Sequence, residues 1–386
     1  MDAPAHDPRA LYFAHWRLEA MVNLPADDLN VQRARIDDID RELVTLLSQR
    51  AACAQRIGQA KATSGGAVFV PHREQDVFKK IAAFNQGPMP EQALRAIWRE
   101  IMSASFALER RLTICHFGQP GAFTHMAAKL KFGESVDYTA VESISTVFNE
   151  VERGHVDYGV VPIENSTDGS ITDTIDSFLA THLRIINELH LRIRHHLMAS
   201  CPRQEIKRIY SRHTVFGQCR SWLAANMPGV ELVELVSTTK AVERAASEPG
   251  AAAIGQAEAS AIFSVPILAS DIQDNPNNIT RFVVIGAPER AAKPTGNDKT
   301  SLMFGVQDRP GALYDCLLPF HRDGINLCRI ESRPSRRRPW EYLFFIDLLG
   351  HQQDPAVAAA LKELNKFTST YEVLGSYPRA EQALNE

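Results

Sequence analysis

Residues 157–170 read DYGVVPIENSTDGS, and this stretch decides the fold class of the middle of the chain. Its first half is apolar and rich in β-branched residues, which predicts a buried strand. Its second half is a polar loop, and Ser170 precedes an apolar stripe with helical spacing, so we expect a helix to begin there. Such a turn either binds an anion through backbone N–H groups at the helix N-terminus or simply caps the helix.

The composition indicates a multidomain protein. The 386 residues allow roughly two to four domains, each with its own core. A net charge of −4 gives no reason to expect nucleic acid or a membrane as a partner. The six cysteines lack C-x-x-C spacing, which argues against a zinc site or disulfide framework and fits a reducing cytoplasm. We therefore expect neither a metal nor a cofactor.

The N-terminal residues do not have the pattern of a targeting or membrane segment. They carry charges and lack the apolar core of a signal peptide. No apolar run is long enough to span a bilayer. We expect residues 1–26 to be a loosely attached leader, and the protein to be cytoplasmic.

Residues 27–111 predict an all-α domain of three helices. The first is predicted from Asp27 to about Thr63, with apolar residues in alternating steps of three and four that are typical of a coiled-coil seam. Gly65–Gly66 ends it, and further helices are predicted over Arg73–Asn85 and from Glu91 to about Arg111. The first helix is so long that half of its seam stays exposed, so the domain needs a partner.

Residues 112–288 alternate between strand and helix patterns. This alternation predicts an α/β domain of parallel character. The strand candidates are Leu112–Phe117, Tyr158–Ile163, Leu191–Ala199, Arg208–Ser211, Ala251–Ile254 and Arg281–Ile285. A linker that contains Pro and Gly closes the domain near Asp298.

Residues 299–386 form the last predicted domain. Their order is strand, helix, strand, strand, helix, strand, which is the ferredoxin-like plan. An arginine-rich segment, Arg333–Arg338, joins the second and third of these strands. We expect it to be a short solvated hairpin loop and not a nucleic-acid site.

Arg50 interrupts the apolar stripe of the first helix. A cation at such a position must be paired or must face a ligand. Lys61 lies about 20° away around the helix axis and about 16 Å along it, so both side chains could reach one small anion. Arg33 is offset from Arg50 by about 100° around the helix axis and about 25 Å along it. It is therefore either a surface charge or part of the site of a second copy packed antiparallel.

Residues 29–111 resemble the small all-helical chorismate mutases, which are domain-swapped dimers that rearrange chorismate to prephenate. The resemblance implies that Arg50, Lys61 and the second protomer's Arg33 bind the two carboxylates and the ether oxygen. The reaction is unimolecular. Its site needs only to hold a compact conformer and to stabilise negative charge that develops on the ether oxygen.

The same resemblance assigns residues of the second and third helices. Arg73 and Glu74 match an Arg–Glu pair in which Glu74 accepts a hydrogen bond from the substrate hydroxyl. Ser105 and Glu109, one turn apart, match the last two contacts. Val70 stands where some relatives have Asp, so only its backbone amide could contact the hydroxyl. Glu109 stands where the best-known relatives have Gln.

Polar residues recur where the strands predicted within residues 112–288 end. Ser211 follows one strand and precedes Gln218, and Ser237–Thr238–Thr239 follows another. Asn278–Phe282 leads into the last strand. One such turn is more often a cap than a ligand, but polar turns at the ends of successive parallel strands converge on one crevice.

These residues resemble the prephenate dehydratases, with QPGAFT at 119–124, the stretch 157–170 and Thr280–Arg281–Phe282 as signatures. The resemblance implies two α/β lobes of the periplasmic-binding type and the conversion of prephenate to phenylpyruvate with loss of CO2 and water. Thr280 is then expected to help the C4 hydroxyl leave. Asn165, Ser211 and Gln218 are expected to hold carboxylates or the hydroxyl, and Arg281 to neutralise a carboxylate.

Residues 299–386 resemble ACT regulatory modules in Gly311–Ala312–Leu313 and Glu331–Ser332–Arg333–Pro334. Such modules pair and bind an amino acid between them, and beside a dehydratase the implied effector is phenylalanine. The residues expected to bind it are Gly311, Ala312, Leu313, Asn326, Leu327, Glu331, Ser332 and Arg333. Gly311 permits a tight turn with N–H groups that can meet a carboxylate, although Pro310–Gly311 could equally be an ordinary turn.

The three resemblances agree with one another. They predict a homodimer or higher oligomer that is a chorismate mutase, a prephenate dehydratase and a phenylalanine sensor in one chain. Two alternatives stay open: the dehydratase could prefer arogenate, or the chain could be an amino-acid-responsive binding protein. Thr280 distinguishes an enzyme from the second alternative, because a binding protein needs no threonine hydroxyl beside the hydroxyl of its ligand.

Overall fold

A computed structural model describes residues 29–64, 66–335, 342–380 and 383–384. The predicted leader, residues 1–26, and residues 336–338 of the predicted arginine-rich loop lie outside the described residues, whereas Arg333 and Pro334 belong to a strand. The chain forms two compact units that divide between Arg56 and Ile57, within the first helix.

The helices are numbered in chain order. They are α1 Leu29–Ser64, α2 Pro71–Phe84, α3 Glu91–Glu109, α4 Phe123–Phe132, α5 Ile144–Glu152, α6 Thr172–Phe178, α7 His213–Gln218, α8 Arg220–Asn226, α9 Thr238–Ser247, α10 Ala257–Phe263, α11 Ala312–Arg322 and α12 Pro355–Leu364. Within the described residues, the three predicted N-terminal helices are therefore present, each within two residues of its expected ends.

The strands are also numbered in chain order. They are β1 Thr113–Phe117, β2 Asp137–Val141, β3 Tyr158–Asn165, β4 Gly169–Ser170, β5 Arg184–Arg192, β6 His196–Ala199, β7 Arg208–Ser211, β8 Glu231–Glu234, β9 Ala251–Gly255, β10 Ile267–Ala269, β11 Ile279–Gly286, β12 Asp298–Val306, β13 Leu327–Pro334, β14 Tyr342–Leu349, β15 Thr368–Pro378 and β16 Ala383–Leu384. They form three sheets.

The first unit contains the N-terminal part of α1. Its apolar stripe is open to solvent, since Ile36, Leu43 and Leu46 are 50–59% exposed. Exposed apolar side chains that recur along one helix face are typical of an interface.

The first α/β lobe has the sheet order β16-β5-β11-β3-β1-β2, with β4 paired to β3. Strands β1, β2 and β3 are parallel, but β11 runs antiparallel to both β3 and β5. The expected parallel character is therefore only partly right. The chain leaves this lobe after β5 and returns along β11, and that return reverses the strand direction.

The second α/β lobe has the sheet order β10-β6-β9-β7-β8. The predicted strand Leu191–Ala199 is in fact two strands, β5 and β6, which belong to different sheets. Residues 193–195 make the crossing between the lobes, and Ile193 and His195 are buried like Leu191 and Leu197, so burial continues through the break. Residues 270–278 make the second crossing, between β10 and β11.

The last part, residues 298–378, follows the predicted βαββαβ order, with sheet order β13-β14-β12-β15. One sheet face packs against α11 and α12 through residues such as Leu302 and Phe304. The other face packs Met303, Phe345 and Tyr377 into the core of the first lobe. Strand β16, which was not predicted, returns to the first lobe and pairs with β5.

Candidate active sites

Asn165 and Thr280 meet at the ends of β3 and β11. They stand opposite each other in the ladder, and Asn165 Nδ2 donates a hydrogen bond to Thr280 Oγ1 at 2.8 Å. Both residues are buried. Because Thr280 Oγ1 accepts from Asn165, the hydrogen of the hydroxyl points elsewhere, and the described residues offer it no acceptor. Thr280 can therefore donate to a ligand.

Gln218 of the second lobe belongs to the same network. Asn165 Nδ2 also donates to Asn278 Oδ1 at 2.8 Å, and Asn278 Nδ2 donates to Gln218 Oε1 at 3.1 Å. Gln218 Nε2 in turn donates to Asp168 Oδ2 at 2.7 Å. The network thus joins the two lobes where the chain crosses between them.

His195, in the first crossing, fixes the orientation of the Gln218 amide. Its Nε2 lies 2.7 Å from Gln218 Oε1, which accepts, so this nitrogen carries the proton. Burial lowers the pKa of His195 to about 4, and the ring is neutral at pH 7. The ring also contacts Phe123, at 5.8 Å between centroids, in the QPGAFT segment.

Three members of this network were missed as site residues: Asn278, His195 and Asp168. Asn278 and Asp168 lie inside the two quoted motifs, so their sequence positions were a usable signal. His195 had none, because it falls within Leu191–Ala199, which was predicted to be one strand.

The loop after β3 does not have the predicted form. Ser170 pairs in β4, and α6 begins at Thr172 without a side-chain cap. Asn165 Oδ1 accepts from the backbone N–H groups of Thr167 and Asp168 at 2.8 and 3.0 Å. These N–H groups are thus already bonded, so the expected anion cradle at a Ser170-capped helix is not present.

Ser211 lies at the end of β7 and is completely buried. Its Oγ donates to the backbone oxygen of Ile254 in β9 at 2.8 Å. This bond links two neighbouring strands of the second lobe. The hydroxyl therefore has a structural partner, and it does not belong to the hydrogen-bond network of Thr280.

Arg281 does not lie in the crevice, contrary to expectation. Neighbouring residues of a strand point to opposite sheet faces, so Arg281 points away from the Thr280 face. Its guanidinium is buried against Glu188 and Asp347. Two carboxylates already neutralise it, and it is not placed to bind a substrate carboxylate.

In the second lobe, the buried polar atoms Thr239 Oγ1 and Gln256 Nε2 have no hydrogen-bond partner among the described residues. Thr239 lies in the first turn of α9, which Ser237 caps by accepting from Lys240 N at 3.0 Å. Thr238 Oγ1 donates to Gln256 Oε1 at 3.1 Å. Unpaired buried donors are costly, which makes each of these two atoms a candidate binding point for an acceptor.

The predicted mutase residues Lys61 and Glu109 are in contact. Lys61 Nζ lies 2.9 Å from Glu109 Oε2, and the Glu109 side chain is 9% exposed. Gly58 permits this approach, since a Cβ there would lie 2.9 Å from the Glu109 Cα. The single glycine of the helix is thus explained by close packing of α1 against the end of α3.

Glu74 lies in the first turn of α2, buried, and forms an ion pair with Lys131 of α4. Lys131 lies 5.5 Å from the centroid of the Phe69 ring. Val70 is the N-cap residue of α2, and its carbonyl accepts from Glu74 N at 3.2 Å. This lysine was not predicted, because it comes from the following α/β lobe.

The other predicted mutase residues lie on the helices as expected. Arg33 and Arg73 are exposed, and Arg50 is half-buried. Burial lowers the pKa of the Arg50 guanidinium from its ordinary value. Ser105 is buried, and its hydroxyl donates to the Ile101 carbonyl at 2.8 Å.

The predicted effector residues divide into two groups. Gly311 has a positive φ of 79° and is the N-cap residue of α11, which begins at Ala312, with Leu313 next. Asn326, Leu327 and Ser332 lie in or beside β13, an edge strand. Glu331 and Arg333 instead face the first lobe: Glu331 accepts from Ser170 Oγ, and Arg333 lies 3.2 Å from Asp176. Their side chains are therefore not placed to hold an effector.

The described residues contain no group of three or more His, Cys, Asp or Glu that could hold a metal ion. No helix among them is long and apolar enough to cross a membrane.

Family models match three consecutive parts of the chain. They are chorismate mutase type II at residues 32–110, prephenate dehydratase at residues 114–290 and the ACT domain at residues 300–366. A bifunctional chorismate mutase/prephenate dehydratase of Aquifex aeolicus is 44% identical over 359 residues, which cover 92% of this chain and 99% of the relative. The chain belongs to the bifunctional chorismate mutase/prephenate dehydratase family.

The similarity to two further proteins supports this family membership. A bifunctional chorismate mutase/prephenate dehydratase of Stutzerimonas stutzeri is 43% identical over 92% of this chain and 99% of its own length. The solved prephenate dehydratase of Arthrobacter aurescens in complex with L-Phe is 33% identical, covers 71% of this chain and 92% of its own, and has a TM-score of 0.66. The predicted family is confirmed.

Proposed function

We propose that Thr280 is the catalytic hydroxyl of the dehydratase. As a member of this family, the chain rearranges chorismate to prephenate and converts prephenate to phenylpyruvate. When CO2 leaves prephenate, the electron pair of the broken C–C bond enters the ring, and the C4–O bond breaks. Thr280 donates a hydrogen bond to the departing oxygen, where negative charge develops. The observation that carries this proposal is the Asn165 hydrogen bond, which turns the Thr280 hydrogen outward.

The neutral groups around Thr280 orient the substrate. Gln218 and Asn278 are held in single orientations by the network, so each can offer a fixed amide. Because Arg281 lies elsewhere, the carboxylates of prephenate need other donors. We assign one to Thr239 Oγ1 and Gln256 Nε2, the buried atoms without partners.

For the mutase, we propose a domain-swapped dimer. The open apolar stripe of α1 supports it, because a second copy would cover these side chains. Arg50, Lys61, Val70, Arg73, Glu74, Ser105 and Glu109 would bind chorismate, with the second protomer's Arg33. Lys61 and Glu109 already form an ion pair, so the ether oxygen would be held by Lys61 beside a charged carboxylate.

For regulation, we propose that phenylalanine binds between two ACT modules and inhibits the dehydratase. The complex of the Arthrobacter aurescens enzyme with L-Phe supports this choice of effector. In this chain, Gly311, Ala312, Leu313, Asn326, Leu327 and Ser332 would form the site. We place the protein in the cytoplasm, which fits its six free cysteines.

One pair of assays tests the central proposal. Purified protein is incubated with chorismate, and prephenate and phenylpyruvate are measured; prephenate and arogenate are then compared as direct substrates. We expect phenylpyruvate from chorismate and a preference for prephenate. The Thr280→Val variant, which keeps the shape but not the hydroxyl, should accumulate prephenate. If this variant still forms phenylpyruvate at the wild-type rate, Thr280 is not the catalytic hydroxyl.

A further inference from the structure

Thr280 and Arg281 are neighbours on β11 with opposite surroundings. Thr280 faces Asn165 and the crevice, whereas Arg281 faces the sheet of the ACT module. A strand transmits displacement between its two faces, because adjacent side chains share one backbone. The hydrogen bonds that hold the Arg281 side chain therefore also restrain the backbone segment that carries Thr280.

The Arg281 guanidinium is bonded at all three nitrogens. Nε donates to Glu188 Oε2 at 2.7 Å, and Nη2 donates to Tyr377 Oη at 2.7 Å. Nη1 donates to Asp347 Oδ2. Glu188 comes from β5 of the first lobe, whereas Asp347 and Tyr377 come from the ACT sheet. The guanidinium thus joins the two sheets directly behind Thr280.

Lys299 and Ser301 complete this group of buried side chains. We call the group the clamp, and its members are Arg281, Glu188, Lys299, Ser301, Asp347 and Tyr377. Lys299 Nζ donates to Glu188 Oε2 at 2.8 Å, and Ser301 donates to Asp347. All six are buried. Two cations balance two carboxylates, and Glu164 lies at the edge, 3.6 Å from Arg281.

A buried ionic group of this kind is not needed for stability alone. Apolar residues of similar volume often stabilise a core equally well, because desolvation of the charges offsets much of their attraction. What directed, charge-assisted hydrogen bonds add is a fixed geometry. The clamp therefore suits a position where atoms must be held in place.

The backbone of β11 needs such support at this point. Its register with β3 shifts between Arg281 and Phe282, so the ladder is interrupted one residue away from Thr280. Pro162, opposite Phe282, has no N–H to donate. Bulges of this kind recur next to active sites. The ladder with β3 is thus interrupted beside Thr280, whereas the ladder with β5 continues through Thr280 and Arg281, and the hydrogen bonds of the Arg281 side chain add a further restraint to this part of the strand.

We infer that Arg281 is a positioning residue for the dehydratase, and that Asp347 and Tyr377 of the ACT module hold Thr280 in place through it. The inference rests on the proposed role of Thr280. It makes the ACT sheet part of the dehydratase scaffold. A movement of this sheet on effector binding would act on Thr280 through the clamp.

The test compares two ion pairs that cross the same interface. Asp347→Asn removes the charge from the clamp at constant shape. The control Glu372→Gln breaks the pair between Arg184 and Glu372, 3.0 Å apart in the same interface but outside the clamp. We expect Asp347→Asn to lower dehydratase kcat by about tenfold to a hundredfold, because displacements near 1 Å can cost that much. The KM for prephenate should change by less than about threefold. Glu372→Gln should leave kcat within about twofold of the wild type.

Mutase turnover and the thermal midpoint report on folding in each variant. Tyr377→Phe, which removes one hydroxyl, is the milder second variant and should lower dehydratase kcat by a few-fold. In the Thr280→Ala background, Asp347→Asn should cause no further loss, since both act through the same atom. The inference would be overturned if Asp347→Asn lowered dehydratase kcat as much in the Thr280→Ala background as in the wild type. It would also be overturned if Asp347→Asn and Glu372→Gln lowered the wild-type kcat equally. If Thr280→Ala itself keeps wild-type dehydratase turnover, the proposed function fails first, and the inference fails with it.

Discussion

Asn165 and Thr280 are paired across β3 and β11, and the asparagine donates to the threonine at 2.8 Å. Asn165 donates a second hydrogen bond to Asn278, and its carbonyl oxygen accepts two backbone N–H groups. All four hydrogen bonds fix one orientation of the amide. The direction of the Thr280 hydroxyl therefore depends on an amide, and not merely on a polar group, at position 165.

This dependence predicts the effect of Asn165→Asp. A carboxylate only accepts hydrogen bonds, so the Thr280 hydroxyl would turn and donate to it. We expect dehydratase kcat to fall by about a hundredfold or more, as when a transition-state donor is removed. Mutase turnover should not change. The two activities are measured on one preparation, and a dehydratase kcat near that of the wild type would contradict the assigned direction of the hydroxyl.

The second prediction concerns Lys131, which forms an ion pair with Glu74 across the boundary between the mutase and dehydratase parts. Lys131→Met leaves a buried carboxylate without its cation, and such a change is costly. We expect it to lower mutase kcat/KM by about tenfold, because the carboxylate loses its fixed position. Dehydratase turnover should stay within about twofold.

Lys129→Met is the matched control for Lys131→Met. It removes another lysine of α4, whose partners Glu134 and Glu258 lie within the dehydratase part. We expect this variant to keep mutase turnover. Equal losses of mutase activity in the two variants would show a general effect on α4 and not a role for the Glu74 ion pair.

Most of the architecture and the signature motifs could be predicted, but the side on which Arg281 points was predicted wrongly. The alternation of side chains along a strand already implies that Thr280 and Arg281 face opposite ways. The motif resemblance treated them as one site. Two of the partners of Arg281, Asp347 and Tyr377, are 66 and 96 residues away along the chain and lie in another module, so only the tertiary structure identifies them.

The network around Gln218 was beyond local sequence analysis for a different reason. Its members come from both lobes and both crossings, and β11 lies antiparallel to β3 only because the chain returns from the second lobe. His195 is buried, and it lies within Leu191–Ala199, which was predicted to be one continuous strand. The place of His195 in the network depends on burial, and the pairing of β11 with β3 depends on topology. Local spacing in the sequence encodes neither.

The third prediction concerns pH and two buried histidines. The pKa of both His116 and His195 is lowered to about 4, chiefly by burial, and the neighbouring His125 contributes to the lowering at His116. The unfolded chain takes up protons near pH 6.5 that the folded chain takes up only near pH 4. Stability therefore declines as pH falls between these values, by on the order of 2 kcal/mol per histidine between pH 7 and pH 5.

His116→Phe tests this prediction at a position outside the Thr280 network. Phenylalanine can keep the ring contacts of His116 with His125 and Tyr138, at 4.7 and 6.4 Å between centroids. We expect the thermal midpoint of this variant to fall less between pH 7 and pH 5 than that of the wild type. Parallel curves for the two proteins would show that His116 does not resist protonation in the folded state.

The fourth prediction is that a chain ending at Gly296 does not retain a working dehydratase. Met303, Phe345 and Tyr377 of the ACT sheet are buried in the core of the first lobe. Gly375 lies so close to β5 that a Cβ there would overlap the Ile185 carbonyl. Removal of the module would expose this core and the clamp. We expect aggregation or loss of dehydratase turnover, and a soluble truncated protein with wild-type kcat would show that the first lobe is complete without the ACT sheet.

The last prediction concerns pairing of the ACT modules. β13 is the edge strand of its sheet, and Ile330 on this strand is 51% exposed. Tyr314 and Leu318 on α11 are 66% and 40% exposed. An edge strand offers unpaired backbone groups, and apolar side chains beside it favour a second copy of the same strand. Ile330→Asp places a charge in this surface, so we expect it to weaken pairing there.

The consequence for regulation follows from the position of the proposed effector site between two modules. A protomer whose ACT module cannot pair with a second one lacks half of that site, so Ile330→Asp should lose inhibition by phenylalanine and keep dehydratase turnover.

Leu232→Asp is the matched control, because Leu232 is 46% exposed on β8, the edge strand of the second lobe. Molar mass by light scattering, with and without phenylalanine, and dehydratase assays are measured on both variants. Since the proposed mutase dimer uses α1, which is a separate surface, we expect the mass of Ile330→Asp not to fall below that of a dimer. Full inhibition of Ile330→Asp by phenylalanine would place the effector site within a single module.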